Sequence, residues 1–145
     1  MNRTLPVWLT KKVPSPDTVS MVEGMMRDAK LHTVCESARC PNLWECWSKK
    51  TATFMILGDI CTRSCGFCAI KVGKPLDVDP QEPERVADIA ATMGLKHIVV
   101  TSVARDDLAD EGSTQFADTI RALHAANPLA IVEVLTPDFK GKKWC

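Results

Sequence analysis

Thr51-Ala52-Thr53-Phe54-Met55-Ile56-Leu57-Gly58-Asp59-Ile60-Cys61-Thr62-Arg63-Ser64-Cys65-Gly66-Phe67-Cys68 is the stretch that decides the fold. Its first eight residues form a short apolar run bounded by a glycine, which predicts a strand buried on both faces. Three residues further on, Cys61, Cys65 and Cys68 follow with C-x3-C-x2-C spacing. That puts a thiolate-rich loop at the C-terminal end of a strand, where α/β sheets place their ligands. Three thiolates on one tight loop suit three corners of a cubane iron–sulfur cluster. No fourth cysteine lies at matching spacing, so one iron stays open, as catalytic zinc sites keep an open position. Gly66 lets the backbone turn close to such a cluster.

Working outward, Gly73 to Pro83 reads as a connecting loop. Pro83 and Glu84 open a helix to about Met93, with Gly94 as its C-cap. His97-Ile98-Val99-Val100-Thr101-Ser102 is the next strand, followed by a charged loop from Arg105 to Gly112. Ser113 or Thr114 caps a helix that runs to about Asn127, and Ala130 to Leu135 is a third strand ended by Pro137. The order β-α-β-α-β with apolar strands predicts a parallel α/β sheet. Upstream, Pro6, Pro14 and Pro16 with the isolated Trp8 read as an extended arm. Val19, Val22, Met25, Met26 and Ala29 predict an amphipathic helix over Thr18 to Leu31, capped by Asp17 or Thr18. Val34 to Lys50 reads as a loop carrying a second trio, Cys35, Cys40 and Cys46, spaced C-x4-C-x5-C. A division falls between an N-terminal extension, residues 1–50, and a β/α portion, residues 51–145.

The composition bounds the function. In 145 residues, 46% are hydrophobic and 25% charged, ordinary globular usage, and Lys+Arg equals Asp+Glu at 18 each. No basic excess favours nucleic acid, no apolar run is long enough to cross a bilayer, and the start lacks a signal-peptide pattern. A reducing cytoplasm is the expectation. Six of the seven cysteines fall between residues 35 and 68. An odd count without a secretory pattern argues against a disulfide framework and for metal ligation.

The second trio, with Phe67 just before its last cysteine, resembles the radical S-adenosylmethionine (SAM) superfamily. The first trio, in Val34-Cys35-Glu36-Ser37-Ala38-Arg39-Cys40-Pro41-Asn42-Leu43-Trp44-Glu45-Cys46-Trp47, resembles the auxiliary-cluster motif of the lipoyl synthase family. The similarity extends to Pro6-Val7-Trp8-Leu9, to Val100-Thr101-Ser102-Val103 with Arg105-Asp106-Asp107-Leu108, and to Glu133-Val134-Leu135 with Pro137-Asp138-Phe139.

The resemblance implies an α/β fold. It would be a partial (β/α) radical SAM barrel of about three β/α units behind a cluster-binding extension. It implies two [4Fe–4S] clusters, one on Cys35, Cys40 and Cys46 and one on Cys61, Cys65 and Cys68, with SAM on the open iron of the latter. The reaction it implies starts from one-electron cleavage of SAM. The resulting 5′-deoxyadenosyl radical attacks carbons 6 and 8 of a protein-bound octanoyl chain, and the auxiliary cluster supplies two sulfurs. Partners would be an octanoylated lipoyl-carrier domain or protein, a one-electron reductant and an iron–sulfur assembly carrier, with neither nucleic acid nor membrane. Phe67, Ser102, Arg105 and Asp106 are the candidate SAM contacts, although the loop after the second strand also suits a solvated role. Trp44 and Trp47 suit shielding and packing equally. His32, His97 and His124 read as structural or solvated.

The alternative is a non-catalytic electron carrier or sensor, which would ordinarily use four protein ligands per cluster. A structural zinc module would likewise use four ligands and carry no iron. Two departures from the family pattern stand out. Its barrel has six β/α units against three here. Its auxiliary cluster takes a serine from an Arg-Ser-Ser-Tyr-like motif near the C-terminus, for which this sequence has no counterpart. The expectation is a truncated or split copy, unstable or inactive by itself. A monomeric, cooperatively folded and active chain would contradict it. Cys145 reads as a free surface thiol.

Overall fold

The computed structural model describes residues 16–38, 40–48 and 51–139. The arm with Trp8 and the segment Gly141-Lys142-Lys143-Trp144-Cys145 lie outside the described residues, as does Arg39. In chain order the elements are α1 (Pro16–Asp28), β1 (His32–Thr33), α2 (Val34–Ser37), α3 (Leu43–Ser48), β2 (Thr51–Ile56) and β3 (Ile60–Cys61). They continue with β4 (Lys71–Val72), α4 (Glu82–Met93), β5 (His97–Ser102), α5 (Ser113–Ala126) and β6 (Ile131–Leu135).

The expected β-α-β-α-β run is present as β2, α4, β5, α5 and β6. β2 pairs parallel with β5 from Thr51↔His97 to Ile56↔Ser102, and β5 pairs parallel with β6 from His97↔Ile131 to Thr101↔Leu135. The sheet order is β1-β2-β5-β6, with β1 antiparallel on the β2 edge through His32↔Met55. The chain is thus a mixed α/β fold around a mostly parallel sheet. A separate parallel pair, β3 with β4, closes the ends of the second cysteine loop. Neither β1 nor this pair was expected, because two residues carry no readable periodicity.

Strand alternation explains the burial. Phe54, Ile56, Ile98 and Val100 are fully buried on one face, in the same cluster as Val86, Ala90, Phe116 and Leu123 of α4 and α5. Each such side chain contributes about 1.5–3 kcal/mol on leaving water. Met55, on the alternate face, is buried too, so β2 is covered on both sides over its second half. Val22, Met26, Leu43 and Trp47 belong to the same apolar cluster, so residues on both sides of position 50 share one core. β6 is an edge: Ile131 and Leu135 are more than half exposed, while Val132 and Val134 are partly covered. No helix among the described residues is long and apolar enough to cross a membrane.

Four local expectations need correction. Val34 to Lys50 is not simply a loop, since α2 and α3 occupy much of it. Thr33 starts α2: its Oγ1 accepts from the Glu36 N–H at 3.2 Å and donates to Glu36 Oε2 at 2.7 Å. α1 begins at Pro16, a residue whose fixed φ suits a first helical position, ahead of Asp17 and Thr18. It stops at Asp28, where Lys30 turns left-handed (φ 52°) and the Leu31 N–H reaches back to the Met26 carbonyl. α5 is capped neither by Ser113 nor by Thr114. Asp110 does this, accepting from the Gly112 and Thr114 N–H groups at 3.1 and 3.0 Å.

Candidate functional site

The second trio sits on a loop tied to the C-terminal ends of the parallel strands. Cys61 ends β3, and its Sγ accepts from the backbone N–H of Arg63 (3.4 Å) and of Ala104 (3.3 Å). Two amides aimed at one sulfur favour an anionic thiolate ligand there. Cys65 and Cys68 are exposed, and the Cys68 N–H donates to the Cys65 carbonyl at 3.0 Å, which folds the loop on itself. Gly73 N–H donates to the Cys61 carbonyl at 3.0 Å and closes it.

Segment 61–63 runs against segment 104–106. The Thr62 N–H and hydroxyl both donate to the Ala104 carbonyl, at 3.1 and 3.0 Å, and the hydroxyl also reaches Asp106 Oδ2 at 3.0 Å. Arg63 grips Asp106 with Nε (2.8 Å to Oδ2) and Nη2 (2.6 Å to Oδ1), and Asp138 with Nη1 (2.6 Å). Asp106 follows β5 and Asp138 follows β6, so one guanidinium links the loop to the ends of both strands.

Of the four candidate SAM contacts, Ser102 and Phe67 present unengaged groups. Ser102 lies at the last register position of β5, opposite Ile56, and its Oγ is buried with no hydrogen-bond partner among the described residues. Phe67 is 94% exposed. Arg105 and Asp106 are at the same strand ends with their polar atoms engaged. Arg105 is 3% exposed and donates to the Leu57 carbonyl (3.3 Å), the Leu76 carbonyl (3.0 Å) and Asp107 (2.9 Å). The guanidinium in turn holds the Asp107 carboxyl below the usual carboxylate range. Arg105 thereby fixes the exit of β2 to the loop before α4.

The first trio is brought together by α2 and α3. The Cys40 N–H donates to the Cys35 carbonyl at 2.9 Å, and the Cys46 N–H to the Asn42 carbonyl at 3.0 Å. Burial pushes the Cys35 thiol up, hydrogen bonding with Thr53 opposes this, and the neighbouring Cys40 and Cys46 add to the rise. Trp47 is buried, and its Nε1 has no partner among the described residues, whereas Trp44 is 42% exposed. Among the described residues no three His, Cys, Asp or Glu side chains converge on one single-ion site. Cubane ligands attach to different irons and stand further apart than the ligands of one zinc, each about 2.3 Å from a shared metal. Free thiols in two trios, with two backbone amides on Cys61 Sγ, are donors of the kind that [4Fe–4S] clusters use.

The two loops face a common cleft of about 600 Å³, lined by Glu36 and Ser37 from the first and by Asp59, Ala69, Ile70 and Lys71 from the second. His97 pairs with Glu133 at 3.0 Å and His124 is exposed on α5, away from both trios in sequence. His32 lies in β1.

Sequence reading missed three positioning groups. Glu82 is buried, and its Oε2 accepts from the Leu57 N–H (2.9 Å) and from Gln115 Nε2 (3.0 Å), joining α4, α5 and the end of β2. A lone Glu beside a proline carries no signal for that. Arg63 was passed over inside the cysteine motif. Thr33 was legible, because Thr33-x-x-Glu36 matches the capping-box pattern.

Comparison with known proteins follows the same residues. Residues 1–40 match the model of the N-terminal domain of lipoyl synthase of the radical SAM family. The chain is 57% identical over 139 residues to the lipoyl synthase of Shouchella clausii, covering 95% of this chain and 45% of that protein. It is 57% identical over 136 residues to that of Symbiobacterium thermophilum, covering 94% and 42%. To that of Rubrobacter xylanophilus it is 56% identical over 138 residues, covering 95% and 43%. The chain spans less than half the length of these curated relatives. Over nearly its whole length it therefore matches the N-terminal portion of the lipoyl synthase family of radical SAM proteins.

Proposed function

We propose that this chain supplies the cluster-binding and SAM-binding portion of a lipoyl synthase, which inserts sulfur at carbons 6 and 8 of a protein-bound octanoyl chain. The observation that carries the proposal is the pair of cysteine trios on two loops facing one cleft. In this reading β2, β5 and β6 are strands of a radical SAM barrel, and residues 1–50 are its auxiliary-cluster extension. Cys61, Cys65 and Cys68 hold one [4Fe–4S] cluster, and Cys35, Cys40 and Cys46 hold the other. When bound, the first cluster with SAM supplies one-electron cleavage and a carbon radical, and the second supplies sulfur.

The chain's own residues do the positioning. Arg63 and Ala104 present amides to Cys61, and Arg105 holds the exit of β2 in place. Ser102, at the last register position of β5, would serve the methionine end of SAM, and the open ring of Phe67 offers it an apolar face. In this reading the cleft between the two loops receives the acyl chain, presented by an octanoylated carrier domain. A one-electron reductant and a cluster-assembly carrier complete the set of partners. The described cysteines are free thiols, which suits a reducing cytoplasm.

The test is electron paramagnetic resonance (EPR) of the anaerobically reconstituted, reduced chain with and without SAM. A SAM-dependent change in the spectrum is expected, lost in Cys65→Ala. A spectrum indifferent to SAM would favour an electron carrier.

A further inference from the structure

We propose that Arg63 is a positioning residue that tunes the cluster on Cys61, Cys65 and Cys68 by holding two backbone amides on the Cys61 sulfur. The inference rests on the reading of that trio as a [4Fe–4S] site and deepens it.

Arg63 stands two residues after Cys61, and its guanidinium is shared between two carboxylates on different strand ends. Asp106 takes Nε and Nη2, and Asp138 takes Nη1. A planar fork is needed to meet both, and a lysine ammonium has no such geometry. With Arg63 pinned, Thr62 docks on Ala104, and the Asp106 N–H donates to Thr62 Oγ1 at 3.2 Å. The strip 61–63 then lies in register with 104–106. That register is what brings the Ala104 N–H to 3.3 Å from Cys61 Sγ, beside the N–H of Arg63 itself at 3.4 Å.

Hydrogen bonds to a cluster's sulfurs stabilise its more negative, reduced form and so raise its reduction potential. As a source of fold stability the same ion pairs count for little. The Arg63 side chain is 28% exposed and that of Asp138 66% exposed, and partly solvated pairs contribute only modestly. Their consequence lies in orientation.

The test is a redox titration of the full reconstituted chain, following the EPR signal that Cys65→Ala removes. Arg63→Gln and Asp106→Asn are expected to lower the midpoint potential while iron content stays at the wild-type level. Arg63→Lys should shift it less, and Asp138→Asn least, since Asp138 holds only Nη1. A wild-type midpoint in fully loaded Arg63→Gln overturns the proposal. If Arg63→Gln loses iron, Arg63→Lys and Asp138→Asn are read instead, and both at the wild-type potential also overturns it. A wild-type chain without any Cys65-dependent cluster is a different result, and it overturns the site reading itself.

Discussion

Asp110 shows how much one side chain can settle. Its carboxylate accepts two amides at the start of α5, and hydrogen bonds from the Thr114 side chain first, then from the Thr114 and Gly112 amides, hold its pKa down to about 2. A group whose pKa falls on folding adds stability above its unfolded value of about 3.8, and that stability is lost as pH drops toward 2. Asp110→Ala should therefore cost about 1 kcal/mol at neutral pH, and Asp110→Asn less, since Asn also caps well. Urea denaturation should show the gap between wild type and Asp110→Ala closing as pH falls from 5 to about 2. The cap was hard to read because Asp110 lies outside the helix, beyond Glu111 and Gly112, both in left-handed conformation. By contrast the six cysteines were legible as a pattern, because their spacing stands in the sequence itself. The engagement of Arg105 and Asp106 was not, because it depends on which backbone carbonyls and side chains the tertiary fold brings to them.

At the scale of elements, legibility followed length and punctuation. β5 spans His97–Ser102 as read, and α4 ends at Gly94, whose φ of 61° and backward amide bond to Ala91 need no Cβ to be accommodated. α1 ends by the same kind of turn, with Lys30 in the left-handed position, so the usual glycine signal was missing and the helix was read three residues too long. α2 is a single turn and too short for periodicity, yet it carries Cys35. Its hold is Thr33, fully buried and bonded to Glu36. Thr33→Ala should destabilise the chain by about 1–2 kcal/mol, through loss of the cap and of a buried hydrogen bond. It should also reduce iron retained by the first trio more than by the second. Anaerobic denaturation together with iron analysis checks both.

The whole molecule joins a readable scaffold to two candidate sites that depend on it. The parallel β2-β5-β6 arrangement followed from apolar strands alternating with capped helices. That α1, α2 and α3 share its core did not follow, because Val22, Met26, Leu43 and Trp47 are scattered in sequence and meet only in space. This shared core sets the first trio against β2, while the strand ends hold the loop of the second, and residues flanking the two trios line one cleft. The central claim is that each trio carries its own four-iron cluster. Iron and sulfide analysis after anaerobic reconstitution tests it most directly, on wild type and on two triple variants. These are Cys35→Ala with Cys40→Ala and Cys46→Ala, and Cys61→Ala with Cys65→Ala and Cys68→Ala. The expected result is about eight irons in wild type and about four in each variant. About four irons in wild type, lost entirely with one trio and untouched by removal of the other, would contradict it.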